Sequence, residues 1–282
     1  MTVIATAGHV DHGKSSLVQA LTGTDPDRWE EEKRRGLTID LGFAFTQIAE
    51  QQIGFIDVPG HVRFLRNMLA GIGGIDACMF VVAANEGWKP QTEEHLRILD
   101  ALGITRGVIV LTKTDLVDAE TLAATLESVR NRVRSTFLEA APVVQVSVHN
   151  SATLDTLRNT LGELIASLPP VANTHRPRIW VDRSFAAKGS GTVITGTLTG
   201  SPLSIGDELM VQPTNVAVKV RGIQSNGISL DKLEAGNRCA LNITGVDHLN
   251  INRGDVLVVE GQWLGTNKFD ASLKVLDSIQ HA

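Results

Sequence analysis

Between residues 3 and 168 the chain alternates short runs of β-branched and other apolar residues with longer stretches in which apolar positions recur at helical spacing. Compact apolar segments fall at 3–7, 55–58, 78–83, 108–111 and 143–146, each followed by a loop and a helix-like stretch. In the last of these stretches Leu154, Leu157, Leu161 and Leu164 stand three and four positions apart, the period of a helix that buries one face. Alternating strands and helices predict a mostly parallel sheet covered by helices on both faces. One stretch breaks the alternation: 37–48 is strand-like and runs directly into another strand at 53–58, which predicts an antiparallel edge hairpin.

The pattern changes at 168–177, where Pro169, Pro170 and Pro177 bracket the polar Asn173-Thr174-His175. Proline restricts its own backbone and that of its predecessor, so this segment reads as an extended linker. Beyond it no long helical period occurs. Short Val/Ile/Thr-rich runs are separated by turn signals such as Gly200-Ser201-Pro202, Gly206-Asp207, Asn226-Gly227 and Gly254-Asp255, which predicts a small β-barrel. After Gly265, residues 268–279 look like one more strand.

Composition narrows the classes available. At 282 residues, with 43% hydrophobic and 20% charged side chains, this is an ordinary globular composition for about two domains. The 26 basic and 31 acidic side chains leave a formal net charge of −5, so no global positive field draws the chain onto nucleic acid or an acidic membrane; RNA contact would need a local patch. Residues 77–84 form an uninterrupted apolar run far short of the ~18 residues of a membrane span. The first positive side chain is Lys14, so no signal peptide is expected. Cys78 and Cys239, without a Cys-x-x-Cys pair, point to the reducing cytoplasm rather than to a disulfide framework or a cysteine zinc site. Eight Phe, four Trp and no Tyr disfavour an aromatic stacking platform for single-stranded nucleic acid.

The first strand runs into Gly8-His9-Val10-Asp11-His12-Gly13-Lys14-Ser15, which fits G-x-x-x-x-G-K-[ST] between a strand and a helix. In such a loop the glycines let backbone N–H groups wrap phosphates, and the helix N-terminus adds a favourable dipole. Gly8 to Ser15, with Ser16 and Gly60, form the candidate phosphate-binding set; Lys14 would reach the β/γ-phosphates and Ser15 would be a magnesium ligand. His9 and His12 lie three apart but have no third ligand nearby, so they do not read as a metal pair. Asp57, at the end of the next parallel strand, can hold magnesium through water. It opens Asp57-Val58-Pro59-Gly60-His61, in which Gly60 presents its N–H to the γ-phosphate. His61 alone would be a loop histidine without a role, but following Asp57 at this spacing it is the candidate that orients the attacking water. Thr38, in Arg34-Arg35-Gly36-Leu37-Thr38-Ile39, is the candidate second magnesium ligand, on a loop ordered by γ-phosphate and Mg²⁺.

Base selection is assigned to Thr112-Lys113-Thr114-Asp115 at the end of strand 108–111. The Asp115 carboxylate can accept hydrogen bonds from guanine N1–H and the 2-amino group, which adenine does not present, and a site built around such a polar group discriminates by ~10⁴ or more. Lys113 would pack its stem over the base, and Ser147, at the end of the last strand, would contact the guanine carbonyl.

These motifs in this order, with a barrel behind them, resemble the translational GTPases of the elongation factor Tu superfamily. The resemblance rests on Val10-Asp11-His12-Gly13-Lys14, Arg35-Gly36-Leu37-Thr38-Ile39, Asp57-Val58-Pro59-Gly60-His61 and Thr112-Lys113-Thr114-Asp115, and on 188–196 as the opening hairpin of a second domain. It implies an α/β P-loop GTPase domain followed by an all-β barrel, GTP/GDP and Mg²⁺ as ligands, His61 as catalytic histidine, and Val10 and Leu37 as a hydrophobic gate. Within the superfamily, residues 31–42, Arg66-Asn67-Met68-Leu69-Ala70-Gly71, Pro90-Gln91-Thr92, Val181-Asp182-Arg183-Ser184-Phe185 and Gly236-Asn237-Arg238 resemble the selenocysteine-specific elongation factors. That likeness implies selenocysteinyl-tRNA and the ribosome as partners of a cytoplasmic monomer, with no membrane partner. It also implies an aminoacyl pocket at Asp182, Arg183 and Arg238; read alone, Asp182 and Arg183 would be a strand-edge ion pair worth under ~1 kcal/mol. A selenol titrates below a thiol or hydroxyl, so arginines held in register by a carboxylate would prefer selenocysteine to serine or cysteine.

Five positions at three places depart from the family pattern: Trp29-Glu30, Val62 and Trp88-Lys89. The reading divides the chain into a GTP-binding domain at 1–168, a linker at 169–177, a barrel at 178–264 and the start of a second barrel at 265–282. The family continues through domains that read the selenocysteine insertion element in messenger RNA, so the expectation is a fragment or a degenerate copy. The alternatives are another elongation factor Tu-like GTPase, of the general elongation or initiation factor gamma type, and a GTP- or RNA-binding module without stimulated hydrolysis.

Overall fold

The computed structural model describes residues 2–26, 41–58, 75–170, 173–187, 189 and 191–271. In the N-terminal half the strands are β1 (Thr2–Ala7), β2 (Gly42–Ile48), β3 (Gln51–Asp57), β4 (Ala77–Ala83), β5 (Gly107–Thr112) and β6 (Val143–Gln145). Interleaved with them are α1 (Lys14–Thr22), α2 (Pro90–Ala101), α3 (Ala119–Arg132) and α4 (Ser151–Ala166). The strands form a six-stranded sheet in the order β2-β3-β1-β4-β5-β6, parallel throughout except between β2 and β3. The mostly parallel sheet and its antiparallel edge hairpin are both as the hydrophobic pattern predicts.

β4 shows why the apolar run is uninterrupted. Met79 and Val81 join a core with Leu17, Leu21, Leu157 and Leu161 from α1 and α4. Cys78, Phe80 and Val82 join an opposite core with Leu96 and Leu99 of α2 and Val129 of α3. A strand covered on both faces has no polar face to alternate with. The helices begin and end where local chemistry dictates: Pro90 stands in the first turn of α2, the Asp118 side chain caps α3 by accepting from the Thr121 N–H at 2.8 Å, and α1 ends on Gly23 in the left-handed region.

After the linker come β7 (Arg178–Ala187), β8 (Gly191–Thr199), β9 (Leu203–Ser204), β10 (Glu208–Gln212), β11 (Val216–Ser225), β12 (Ile228–Leu230), β13 (Lys232–Leu233), β14 (Asn237–Thr244) and β15 (Val256–Val258). The pairings run β10-β15-β7-β8-β14-β11, and β11 returns to β10, which closes the barrel. Alternate residues such as Ile179, Val181, Ile194, Val211, Val220, Leu241 and Leu257 fill its interior. The register of β7 on β8 shifts between Val181 and Arg183. This bulge breaks the alternation of the strand at Asp182, which is only 3% exposed. Opposite it, Gly196 has no room for a side chain, since an added Cβ would lie 2.2 Å from the Trp180 carbonyl oxygen.

The described portion of the strand expected at 268–279 differs from expectation. Residues 268–271 carry no strand, and 272–279 lie outside the described residues. No helix among the described residues is long and apolar enough to cross a membrane.

Candidate functional site

The C-terminal ends of β1, β3, β4 and β5 meet at the loop between β1 and α1. Gly8 opens this loop with φ 139°, and an added Cβ would lie 2.1 Å from the Val81 carbonyl oxygen, so no side chain fits. Two loop amides are held by α2: the Gly8 N–H donates to His95 Nδ1 at 3.0 Å and the Val10 N–H to Gln91 Oε1 at 3.3 Å. Gly13 precedes α1 in the left-handed region (φ 82°), and no side chain caps the helix, which leaves its first turn suited to an anion. Lys14 is buried, its Nζ donating to the His9 carbonyl at 2.8 Å across the loop.

The surroundings of the histidines here favour the neutral ring. His95 accepts from an amide, and burial, followed by the nearby Lys14 and His9 charges, pushes it down to about 3. Burial, then His9, pushes His12 down to about 4. The His12 ring packs edge-on against His9 with centroids 5.0 Å apart, and its carbonyl accepts from Thr112 Oγ1 at 2.7 Å. Thr112 thereby ties the end of β5 to the loop.

Asp57 is fully buried. Thr6 Oγ1 donates to its Oδ1 and Ser15 Oγ to its Oδ2, both at 2.6 Å. A hydroxyl and a carboxylate already side by side are hard oxygen donors of the kind magnesium takes, so these residues fit that ion. In the segment expected to select the base, Lys113 adopts φ 55°, and its Nζ pairs with Glu86 at 3.1 Å. A hydrogen bond from Ser147 to Asp115 is the main cause holding that carboxyl below its usual range. Gly60, His61, Leu37 and Thr38 lie outside the described residues.

A second constellation joins the sheet to the barrel. Arg238 pairs with Asp182 through both terminal nitrogens, Nη1 to Oδ2 and Nη2 to Oδ1, the latter at 3.0 Å, and Thr195 Oγ1 also donates to Asp182. Arg253 Nε donates to the Asp182 carbonyl at 2.8 Å. The guanidinium of Arg238 lies 3.6 Å from the Phe43 ring centroid and that of Arg183 5.0 Å from it, while Arg183 Nη2 donates to the Leu41 carbonyl at 2.7 Å. Arginines of the barrel thus rest on the start of β2, which follows Thr38 closely in sequence.

Several of these residues had no role in the sequence reading. Gln91 and His95 lie on an amphipathic helix far along the chain, and Pro90-Gln91-Thr92 signalled only a family likeness. Glu86, Thr6 and Phe43 left no local signal, because each acts through a partner distant in sequence.

Residues 1–167 match the family model "Elongation factor Tu GTP binding domain". The chain belongs to this family of GTP-binding domains. It is 43% identical to a selenocysteine-specific elongation factor of Desulfomicrobium baculatum, over 98% of this chain and 44% of that protein. Among solved structures, a bacterial selenocysteine-specific elongation factor superposes with TM-score 0.85 at 40% identity, over 92% of this chain and 45% of the other. The translation elongation factor SelB from Methanococcus maripaludis, in complex with the GTP analogue GppNHp, superposes with TM-score 0.83 at 32% identity, over 92% and 55%. The chain therefore spans about half the length of the relatives it matches.

Proposed function

We propose that this chain is the GTP-binding and first-barrel portion of a selenocysteine-specific elongation factor. It would bind GTP with Mg²⁺, capture selenocysteinyl-tRNA in the cytoplasm as a monomer, deliver it to the ribosome at recoded UGA codons and hydrolyse the nucleotide there. The boundary between the two parts is placed at 169–177, with 265–282 leading toward a second barrel. The messenger RNA element would be read by regions beyond this chain.

The observation that carries the selenocysteine reading is the set of arginines gathered around Asp182. Arg238 is locked in a bidentate pair, Arg253 is bound to the same residue's carbonyl, and Arg183 shares the Phe43 ring with Arg238. A selenolate is an anion at neutral pH and a serine hydroxyl is not, so cations fixed in place favour the former. On the nucleotide side, the Gly8–Ser16 loop cradles the phosphates, Lys14 leaves the His9 carbonyl for the β/γ-phosphates, and Asp115 selects guanine with Lys113 and Ser147 around it. Ser15, Asp57 and Thr38 hold the magnesium, which neutralises charge on the phosphate oxygens. His61 orients the attacking water, gated by Val10 and Leu37.

The experiment is single-turnover GTP hydrolysis by the chain with ribosomes and selenocysteinyl-tRNA. Acceleration is expected, and His61→Ala should lose it while keeping GTP affinity. GTP binding with no acceleration would favour a nucleotide- and RNA-binding module instead.

A further inference from the structure

On the outer wall of the barrel, where β7 leaves the linker, arginines and tryptophans interleave. The Arg176 guanidinium carbon lies 4.2 Å from the Trp263 ring centroid and that of Arg178 lies 4.6 Å from it; Arg178 is also 5.5 Å from the Trp180 centroid. Ile179 faces the barrel core, so its neighbours Arg178 and Trp180 share the outward face. Arg176 is fixed further by Nη2, which donates to the Gln262 carbonyl. Among the described residues neither guanidinium pairs with a carboxylate, and burial together with the neighbouring Arg176 charge holds Arg178 below its ordinary range. Arg178 is half-buried, and its Nε is a buried atom without a hydrogen-bond partner.

We propose that Arg176, Arg178, Trp180 and Trp263 form an RNA-binding patch, with phosphodiester oxygens on the two guanidinium forks and an unstacked base on the open face of Trp180. Two like charges side by side without a counter-charge favour an anion between them. Stacking on Trp263 holds the forks in place beforehand, so less freedom is lost when a phosphate binds. A polyanion that also carries flat π-faces suits this arrangement best, because cation and aromatic alternate along the surface. Trp180 is 37% exposed, enough to offer a ring face. The chain as a whole is acidic, and this patch supplies locally what its net charge does not. None of its residues belongs to the nucleotide site or to the Asp182 pocket, so the inference goes beyond the proposed function and can fail separately.

The test uses the full chain and a short labelled oligouridylate, without nucleotide or ribosome, titrated over a range of salt. Arg176→Gln/Arg178→Gln should weaken binding and reduce the slope of log affinity against log salt by about 1.4, the release expected for two phosphates of a single strand. Trp180→Leu, at an exposed position, should weaken binding about tenfold with the slope unchanged. The proposal is overturned if the unaltered chain does not bind the oligonucleotide. It is equally overturned if the double variant keeps affinity and slope while only its melting temperature falls, which would make the cluster a tie between linker and tail. Should the double variant fail to fold, Trp180→Leu decides alone: unchanged affinity overturns the proposal. Equal affinity for selenocysteinyl- and seryl-tRNA would defeat the function proposed above and leave this inference standing.

Discussion

Asp115 and His95 test the proposed nucleotide site in two ways, one through a side chain and one through the backbone. Asp115 is exposed and held ready by Ser147. Asp115→Asn replaces an acceptor by an amide that can donate, so preference should move from guanine to xanthine nucleotides; unchanged GTP affinity in a nucleotide titration would refute the assignment. His95 acts through the backbone, accepting from Gly8. With His95 pushed down to about 3 and His12 to about 4, both below the ordinary 6.5, the unfolded chain binds more protons between those values. Stability is therefore full above about pH 6.5 and is lost as pH falls toward about 4 for His12 and about 3 for His95. His95→Gln removes one of these titrations and should flatten the acid limb of the denaturation midpoint plotted against pH. A limb of unchanged steepness would contradict it.

At the scale of the element, the pattern of apolar positions revealed what depends on period. β4, buried on both faces, reads as a continuous run, and the leucines of α4 read as one helical face. The edge hairpin was legible because 37–48 and 53–58 adjoin with no room for a crossover helix. What stayed hidden depends on register and on distant partners. Nothing in Val181-Asp182-Arg183 signals that a bulge turns Asp182 inward, and so the same residues read alone suggested a weak surface pair. In the fold Asp182 and Arg238 have side chains 3% and 10% exposed, and removing one partner of a buried pair costs about 3–5 kcal/mol. Asp182→Ala should lower barrel stability by about that amount in urea denaturation, where a surface pair would cost under ~1 kcal/mol. Gly196→Ala tests the same element from across the ladder. With 2.2 Å between an added Cβ and the Trp180 carbonyl oxygen, it should destabilise the barrel by about 3 kcal/mol or more while leaving GTP affinity intact.

Over the whole molecule, the contact between Phe43 and the arginines joins the nucleotide-binding sheet to the barrel, just after the segment that carries Thr38. A desolvated cation–π contact is worth about 2 kcal/mol, so Phe43→Ala should separate the thermal transitions of the two parts. A single coincident transition in the variant would show that the contact does not couple them. The same placement links the phosphate side of the molecule to the pocket proposed for the aminoacyl group. The central claim is that this pocket selects selenocysteine, and equilibrium binding measures it most directly. Selenocysteinyl-tRNA and seryl-tRNA on one tRNA body should be titrated against the chain loaded with GTP and Mg²⁺. A hydrogen bond to a charged group contributes about 1.5–3 kcal/mol, so the account predicts at least about tenfold tighter binding of the selenocysteinyl form, lost in Arg238→Met. Equal affinity for the two, with GTP still bound, would contradict it.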